Sequence, residues 1–300
     1  MTQNYACQSC SDRLLIIHAD DFGSSHSANQ AIIELFRSGG ITSASIMMPC
    51  EAAAEAAAFC KRNDTAHVGI HLTLTSSRNQ FLKPVFKEFS LDSLITRDGF
   101  FPEEVSLIER DADSQQVKKE LAAQIESAIA LGIDPTHLDC HEGCLLGLAL
   151  GRDFLDIVFE LCEEYALPFL LPHRIVLQSF LNEAQKSLFR KKISEAAARG
   201  IYLIDDLSVF PYELEEGESY ETLKIEWGNR LAHLMPGITQ MVTHPAMMTT
   251  ELLALTGHAA KRELEYRLLR DSGSKALVEE MKIKLISWKH LRDLQRRMGC

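Results

Sequence analysis

No stretch of this 300-residue chain approaches the roughly 20 consecutive apolar residues that a membrane span needs. Residues 1–12 lack the charged-then-apolar pattern of a secretory signal, and the chain is read as cytoplasmic. Positive charge is also short: 31 Lys and Arg stand against 42 Asp and Glu, a net charge of −11. That balance argues against a nucleic-acid backbone or an anionic membrane as the main partner. No Gly-rich phosphate fingerprint of the dinucleotide or P-loop kind follows the first strand-like run. No linker or low-complexity stretch divides the chain, so it reads as a leader, 1–12, and one domain, 13–300. Eight cysteines are present, yet the CxxC of Cys7 and Cys10 has no second pair at zinc-ribbon spacing and sits in the polar leader. Cys50, Cys60 and Cys162 lie in apolar surroundings and read as core thiols. Cys140 and Cys144 flank His141, and the three would form a zinc set that competes with the one described below.

What is there is the composition of an ordinary soluble globular protein, 46% apolar and 24% charged. Strand-like runs are predicted over 14–19, 44–48, 68–74, 136–141, 169–174, 201–209, 238–244 and 284–288, most of them separated by helical patterns. That alternation predicts an α/β fold, a single-domain distorted (β/α) TIM-like barrel, irregular or short of eight full units. An open doubly wound sheet is the alternative, and the missing phosphate fingerprint removes its usual ligands. The segment 76–111 carries Phe81, Phe86, Phe89, Phe100 and Phe101 without clear periodicity. It reads as a binding loop or as a flap over the core.

In such a barrel, chemistry gathers at the C-terminal ends of the strands. The first run ends in His18-Ala19-Asp20-Asp21-Phe22-Gly23. Neighbouring strand residues point to opposite faces, so two adjacent acids imply a turn that lets both converge, and a cation between them would relieve their repulsion. A helix cap or turn is the other reading of such a pair. The remaining predicted ends place His71, the run Asp139-Cys140-His141, the pair His173-Arg174, the pair Asp205-Asp206 and His244 on the same rim. His67 and His71, four strand residues or ~13 Å apart, cannot share one ion, and the same holds for His137 and His141. His71 and His141 are therefore the rim candidates. One carboxylate with two imidazoles from different strands makes a facial metal set with positions left open. His26 is read as a helix-start residue, and Arg262, Glu263 and Arg267 as the solvated face of a helix.

The run Ala19-Asp20-Asp21-Phe22-Gly23, with Asn29 and the stretch Gly40-Ile41-Thr42-Ser43-Ala44-Ser45-Ile46-Met47, resembles the YdjC-like carbohydrate deacetylase family, which includes chitooligosaccharide deacetylase. Residues 68–75, 134–141 and Thr243-His244-Pro245 are similar to its later motifs, in the same order. The resemblance implies a distorted barrel of the glycoside hydrolase/deacetylase type. It implies one divalent metal held by Asp21, His71 and His141, with Asp20 as general base and His244 as general acid. Arg174 resembles a basic residue that helps orient the base. Two nitrogens and a carboxylate oxygen suit zinc, with magnesium the alternative. The family continues its third motif with further histidines, whereas this chain has Glu142-Gly143-Cys144-Leu145, which points to different substrate contacts beside the metal.

The expected activity is hydrolysis of an N-acetyl group on an amino sugar or oligosaccharide. The ion would acidify water and stabilise the oxyanion. Asp20 would take the proton of the water and His244 protonate the leaving amine. A homodimer is admitted. The competing readings are a non-catalytic sugar- or metal-binding protein on the same scaffold and another barrel metal hydrolase or isomerase. The last would use Asp205 and Asp206 at a second ion.

Overall fold

The computed structural model describes residues 11–298, so Cys7, Cys10 and Cys300 lie outside it. The first half runs β1 (Arg13–Phe22), α1 (His26–Ser38), β2 (Ser43–Ile46), α2 (Ala53–Cys60), β3 (Val68–Leu72), α3 (Val105–Asp111), α4 (Ser114–Ala130) and β4 (Leu138–Cys140). The second runs α5 (Leu155–Glu164), α6 (Glu183–Ala198), β5 (Asp206–Val209), α7 (Tyr220–Ala232), β6 (Gly237–Thr243), α8 (Thr250–Leu255), α9 (Ala259–Arg270), α10 (Ser272–Glu280), β7 (Lys284–Leu285) and α11 (Trp288–Met298). The strands lie in the order β4-β3-β2-β1-β6-β5, every pair parallel, with β7 also pairing β1. Single bridges, Leu138 to Phe169 and Pro172 to Ile204, link β4 to β5 through the segment 169–172. The result is a distorted parallel barrel with helices outside, as the alternation of runs predicts.

β1 is central because it is buried along nearly its whole length, as parallel strands covered on both faces are. The helix that follows it is bounded by two devices. Ser25 caps α1 by accepting from Ala28 N, and Gly39 ends that helix in the left-handed region at φ 69. Gly69 in β3 serves packing instead: a Cβ there would lie 2.3 Å from the His137 ring. Trp227 and Trp288 are core residues, and Trp288 stacks on His137 with ring centroids 4.6 Å apart.

The long segment after β3 is part core, part rim. Leu82, Leu91, Leu94 and Phe101 are buried, while Phe81 and Phe89 are exposed. The buried Glu120 of α4 clasps it, accepting from Val85 N at 2.9 Å and Phe86 N at 3.0 Å.

Two predicted rim positions are corrected by the strand ends. The segment 169–172 leaves the sheet in a 3-10 turn, 173–177, at the level where β6 begins. Arg174 therefore donates to Asp206 Oδ2 at 3.5 Å and to the Pro236 carbonyl at 2.8 Å, one residue before β6. The predicted run 201–209 makes isolated backbone bonds to its neighbours up to Asp205 and is a regular strand only from Asp206 onward. Asp205 accepts from Ile238 N at 2.7 Å at the start of β6, so both acids stand at the opposite end from His244. The isomerase reading loses its second set of carboxylates.

Candidate active site

Asp20 and Asp21 reach one rim because β1 is irregular at its end. The register with β2 shifts between Ala19 and Phe22, and Asp21 has φ 63. A bulge with one residue in the left-handed region turns a side chain that would point outward back to the rim. Asn29 pins this turn: its Oδ1 accepts from Gly23 N at 2.8 Å, and its Nδ2 donates to Ala52 O at 3.0 Å and to Glu55 Oε2 at 2.7 Å. The Asp-Asp-Phe-Gly run and the asparagine six residues after its glycine are thus one local structure. His26 opens α1, with Nδ1 2.7 Å from Glu55 Oε2.

Asp21, His71 and His141 meet. Asp21 Oδ1 lies 3.6 Å from His71 Nε2 and 3.6 Å from His141 Nδ1, and this buried oxygen has no hydrogen-bond partner. The second nitrogen of His71 is occupied: Nδ1 lies 2.9 Å from Asp139 Oδ1, the residue beside it in β4. A carboxylate on the far nitrogen fixes the ring and leaves the near one free for a cation. Asp21, His71 and His141 therefore fit a divalent ion by donor type, convergence and orphaned oxygen. Cys144 does not join them, since its thiol faces the Leu72 carbonyl at 3.8 Å and burial pushes it up to about 12.

Asp20 stands beside this set. Its Oδ2 lies 3.9 Å from His71 Nε2 and 3.8 Å from His244 Nε2, and its Oδ1 lies 3.3 Å from His18 Nε2. Burial raises its carboxyl to about 6 against the pull of His71 and His18. Asp21 goes the other way: burial would raise it, but the Arg262 guanidinium and then His141 and His244 hold it well below the carboxylate range. Two adjacent acids thus have different proton affinities. Burial takes His244 down to about 3, helped by Arg262, His71 and His141 and opposed by Asp21. Burial lowers a histidine, yet the carboxylates of Asp139, Asp20 and Asp21 hold His71 up at about 10.

Below the rim lies a buried layer. His18 Nε2 and His137 Nε2 lie 3.3 Å and 3.6 Å from Asp139 Oδ2, and Ser45 Oγ is 3.1 Å from His18 Nε2. His18 and Asp20 share a strand face by the period of two, a signal that the sequence carried.

Other functional neighbours escape sequence reasoning. Arg262 is buried, not solvated, and its Nη2 donates to Asp21 Oδ2 at 2.7 Å and to the Tyr212 hydroxyl at 2.7 Å. One turn on, Glu265 accepts from His244 N at 2.6 Å. Arg174, at the far end of the barrel, does not meet Asp20. A cleft of about 600 Å³ opens over the site, lined by Arg78, Glu142, Tyr212, His258 and Arg262 and by apolar residues such as Met47 and Leu252.

The sequence model described as YdjC-like protein matches residues 14–280. A carbohydrate deacetylase of Thermus thermophilus is 30% identical over 286 residues, 94% of each chain. One of Brevibacillus brevis is 30% identical over 283 residues, 92% of this chain and 99% of its own. Among solved structures, one described as a cellobiose-phosphate cleavage protein from Enterococcus faecalis V583 superposes with a TM-score of 0.75. It is 24% identical, and the match covers 94% of this chain and 99% of that one, so the likeness shows the shared barrel.

Proposed function

The chain belongs to the YdjC-like protein family, and from that premise we propose that it is a metal-dependent carbohydrate deacetylase that releases acetate from N-acetylated amino sugars or their oligomers. The observation that carries the reading is Asp21 Oδ1, a buried and unpartnered carboxylate oxygen equidistant at 3.6 Å from two imidazole nitrogens. Asp20 and His244 stand beside it. A divalent ion held by Asp21, His71 and His141, zinc by the donor set and magnesium as the alternative, would polarise an acyl oxygen and acidify water.

The protein's own groups supply the rest. Asp20, whose proton affinity lies near the working range, takes a proton from the attacking water. His244 rests neutral, so it needs a proton before it can act as an acid. Its Nε2 lies 3.8 Å from Asp20 Oδ2, which gives the proton gained by Asp20 a short path to the leaving amine as the C–N bond breaks. Asp139 holds the His71 ring, and Glu265 fixes the backbone at His244. The cleft wall is rich in hydrogen-bonding groups, as a hydroxylated ligand requires.

The test is acetate release from a panel of N-acetylglucosamine oligomers, with O-acetylated sugars as comparison, before and after chelation and zinc readdition. Release that stops on chelation and returns with zinc supports the reading. A metal-loaded protein that releases no acetate from any of them overturns it.

A further inference from the structure

Arg262 is a largely buried guanidinium in the wall of the cleft, beside the metal-type donor set. Its Nη2 carries two N–H groups and two acceptors meet them, Asp21 Oδ2 and the Tyr212 hydroxyl, each at 2.7 Å. The two oxygens of Asp21 are thereby divided: Oδ2 is bound to the cation of Arg262, and Oδ1 is bare and turned to His71 and His141. The helix that carries Arg262 is itself anchored to the rim. The Arg262 carbonyl accepts from Ala246 N at 3.3 Å, and Glu265 accepts from His244 N. Lys261, the next residue back, is buried against Glu218. The helix is thus held against the rim, and the guanidinium itself is held by its two acceptors.

From this geometry we infer that Arg262 is a positioning residue that confines Asp21 to a single coordinating oxygen, so that a bound divalent ion stays one ligand short and electron-poor. The inference rests on Asp21 being a ligand of the ion. A carboxylate free to swing would offer both oxygens, fill a position that water or an acyl oxygen needs, and bring its whole negative charge to the ion. With Oδ2 committed to Arg262, affinity for the ion is given up and Lewis acidity is kept. The consequence separates this role from simple support of the fold: removing the guanidinium leaves metal binding as tight or tighter while the chemical step slows.

The experiment uses the full chain loaded with Co2+, whose visible spectrum reports coordination number and geometry. Wild type, Arg262→Met and Arg262→Lys are compared for the cobalt spectrum, for metal affinity by chelator competition, and for kcat and KM of acetate release. The expected result for Arg262→Met is a weaker, shifted cobalt band of higher coordination and an affinity equal to or above wild type. With it goes a kcat at least roughly tenfold lower, at a KM within about twofold. Arg262→Lys keeps the charge and one donor to Oδ2, and its spectrum and kcat fall between the other two. A wild-type spectrum and kcat in Arg262→Met, or loss of cobalt from both variants while each stays folded by circular dichroism, overturns the inference and leaves the deacetylase reading standing. If Arg262→Met does not fold, Arg262→Lys decides alone, by an intermediate or an unchanged spectrum. A wild type that takes up no cobalt overturns the ligand reading underneath, and this inference with it.

Discussion

Asp20 and Asp21 are consecutive in β1, yet their carboxylates face different partners: Asp20 Oδ2 lies 3.8 Å from His244 Nε2, and Asp21 Oδ2 accepts from Arg262 at 2.7 Å. The bulge at the end of β1 makes this division by turning one residue to φ 63. The same turn gives one acid a raised proton affinity and the other a depressed one.

His71 makes metal binding a proton exchange. Without an ion its ring is held protonated up to about 10 by Asp139, Asp20 and Asp21, which outweigh burial. The ion requires the neutral ring. At any pH below about 10, raising the pH helps remove the competing proton, so affinity rises with pH. Calorimetry at pH 8 in buffers of different ionisation enthalpy is expected to show release of about one proton per ion from this ring. In His71→Gln that proton disappears and affinity drops.

His137 makes the barrel sensitive to acid. Burial, with the charges of His18 and His71, lowers it to about 4 despite Asp139. The unfolded chain therefore binds the extra proton between about 4 and 6.5, and the stability that comes from keeping the ring neutral is present above 6.5 and lost as pH falls. Urea unfolding at pH 7 and pH 4.5 is expected to show a loss that shrinks in His137→Phe by roughly 3 kcal/mol or less. Phenylalanine can keep the stack on Trp288 but gives up the Thr136 hydroxyl contact at Nδ1, a loss present at both pH values, so it is the difference between the two that reports the charge.

Glu120 holds the long segment that reaches the cleft. Glu120→Ala leaves the Val85 and Phe86 amides without their acceptor. A loss of about 2 kcal/mol is expected by denaturant unfolding. Limited proteolysis should then cut within 76–104 faster than in wild type. Cleavage elsewhere first would contradict the clasp.

The order of strands and the rim carboxylates and imidazoles were legible because each sits at the end of an apolar run. The local rule that strand residues alternate even flags the turn at Asp21, since two adjacent acids cannot otherwise share a face. Arg262 and Glu265 were illegible for a physical reason: charged residues three apart on a helix describe a solvated stripe and a stripe facing a buried acid equally well. Only the fold shows that Asp21 stands opposite. Arg174 and Asp205-Asp206 were misplaced because the apolar runs 169–174 and 201–209 do not reveal where pairing starts or stops. Pro172 and the 3-10 turn after it end the first, and the second makes only isolated bonds to its neighbours before it becomes a regular strand at Asp206.

The central claim, that Asp21 holds the ion and Asp20 moves the proton, is tested most directly by measuring bound zinc and acetate release side by side in Asp20→Asn and Asp21→Asn. The account predicts that Asp20→Asn keeps one zinc per chain and loses acetate release by at least about a hundredfold, while Asp21→Asn loses the zinc as well. Loss of zinc in Asp20→Asn with retention in Asp21→Asn would contradict it.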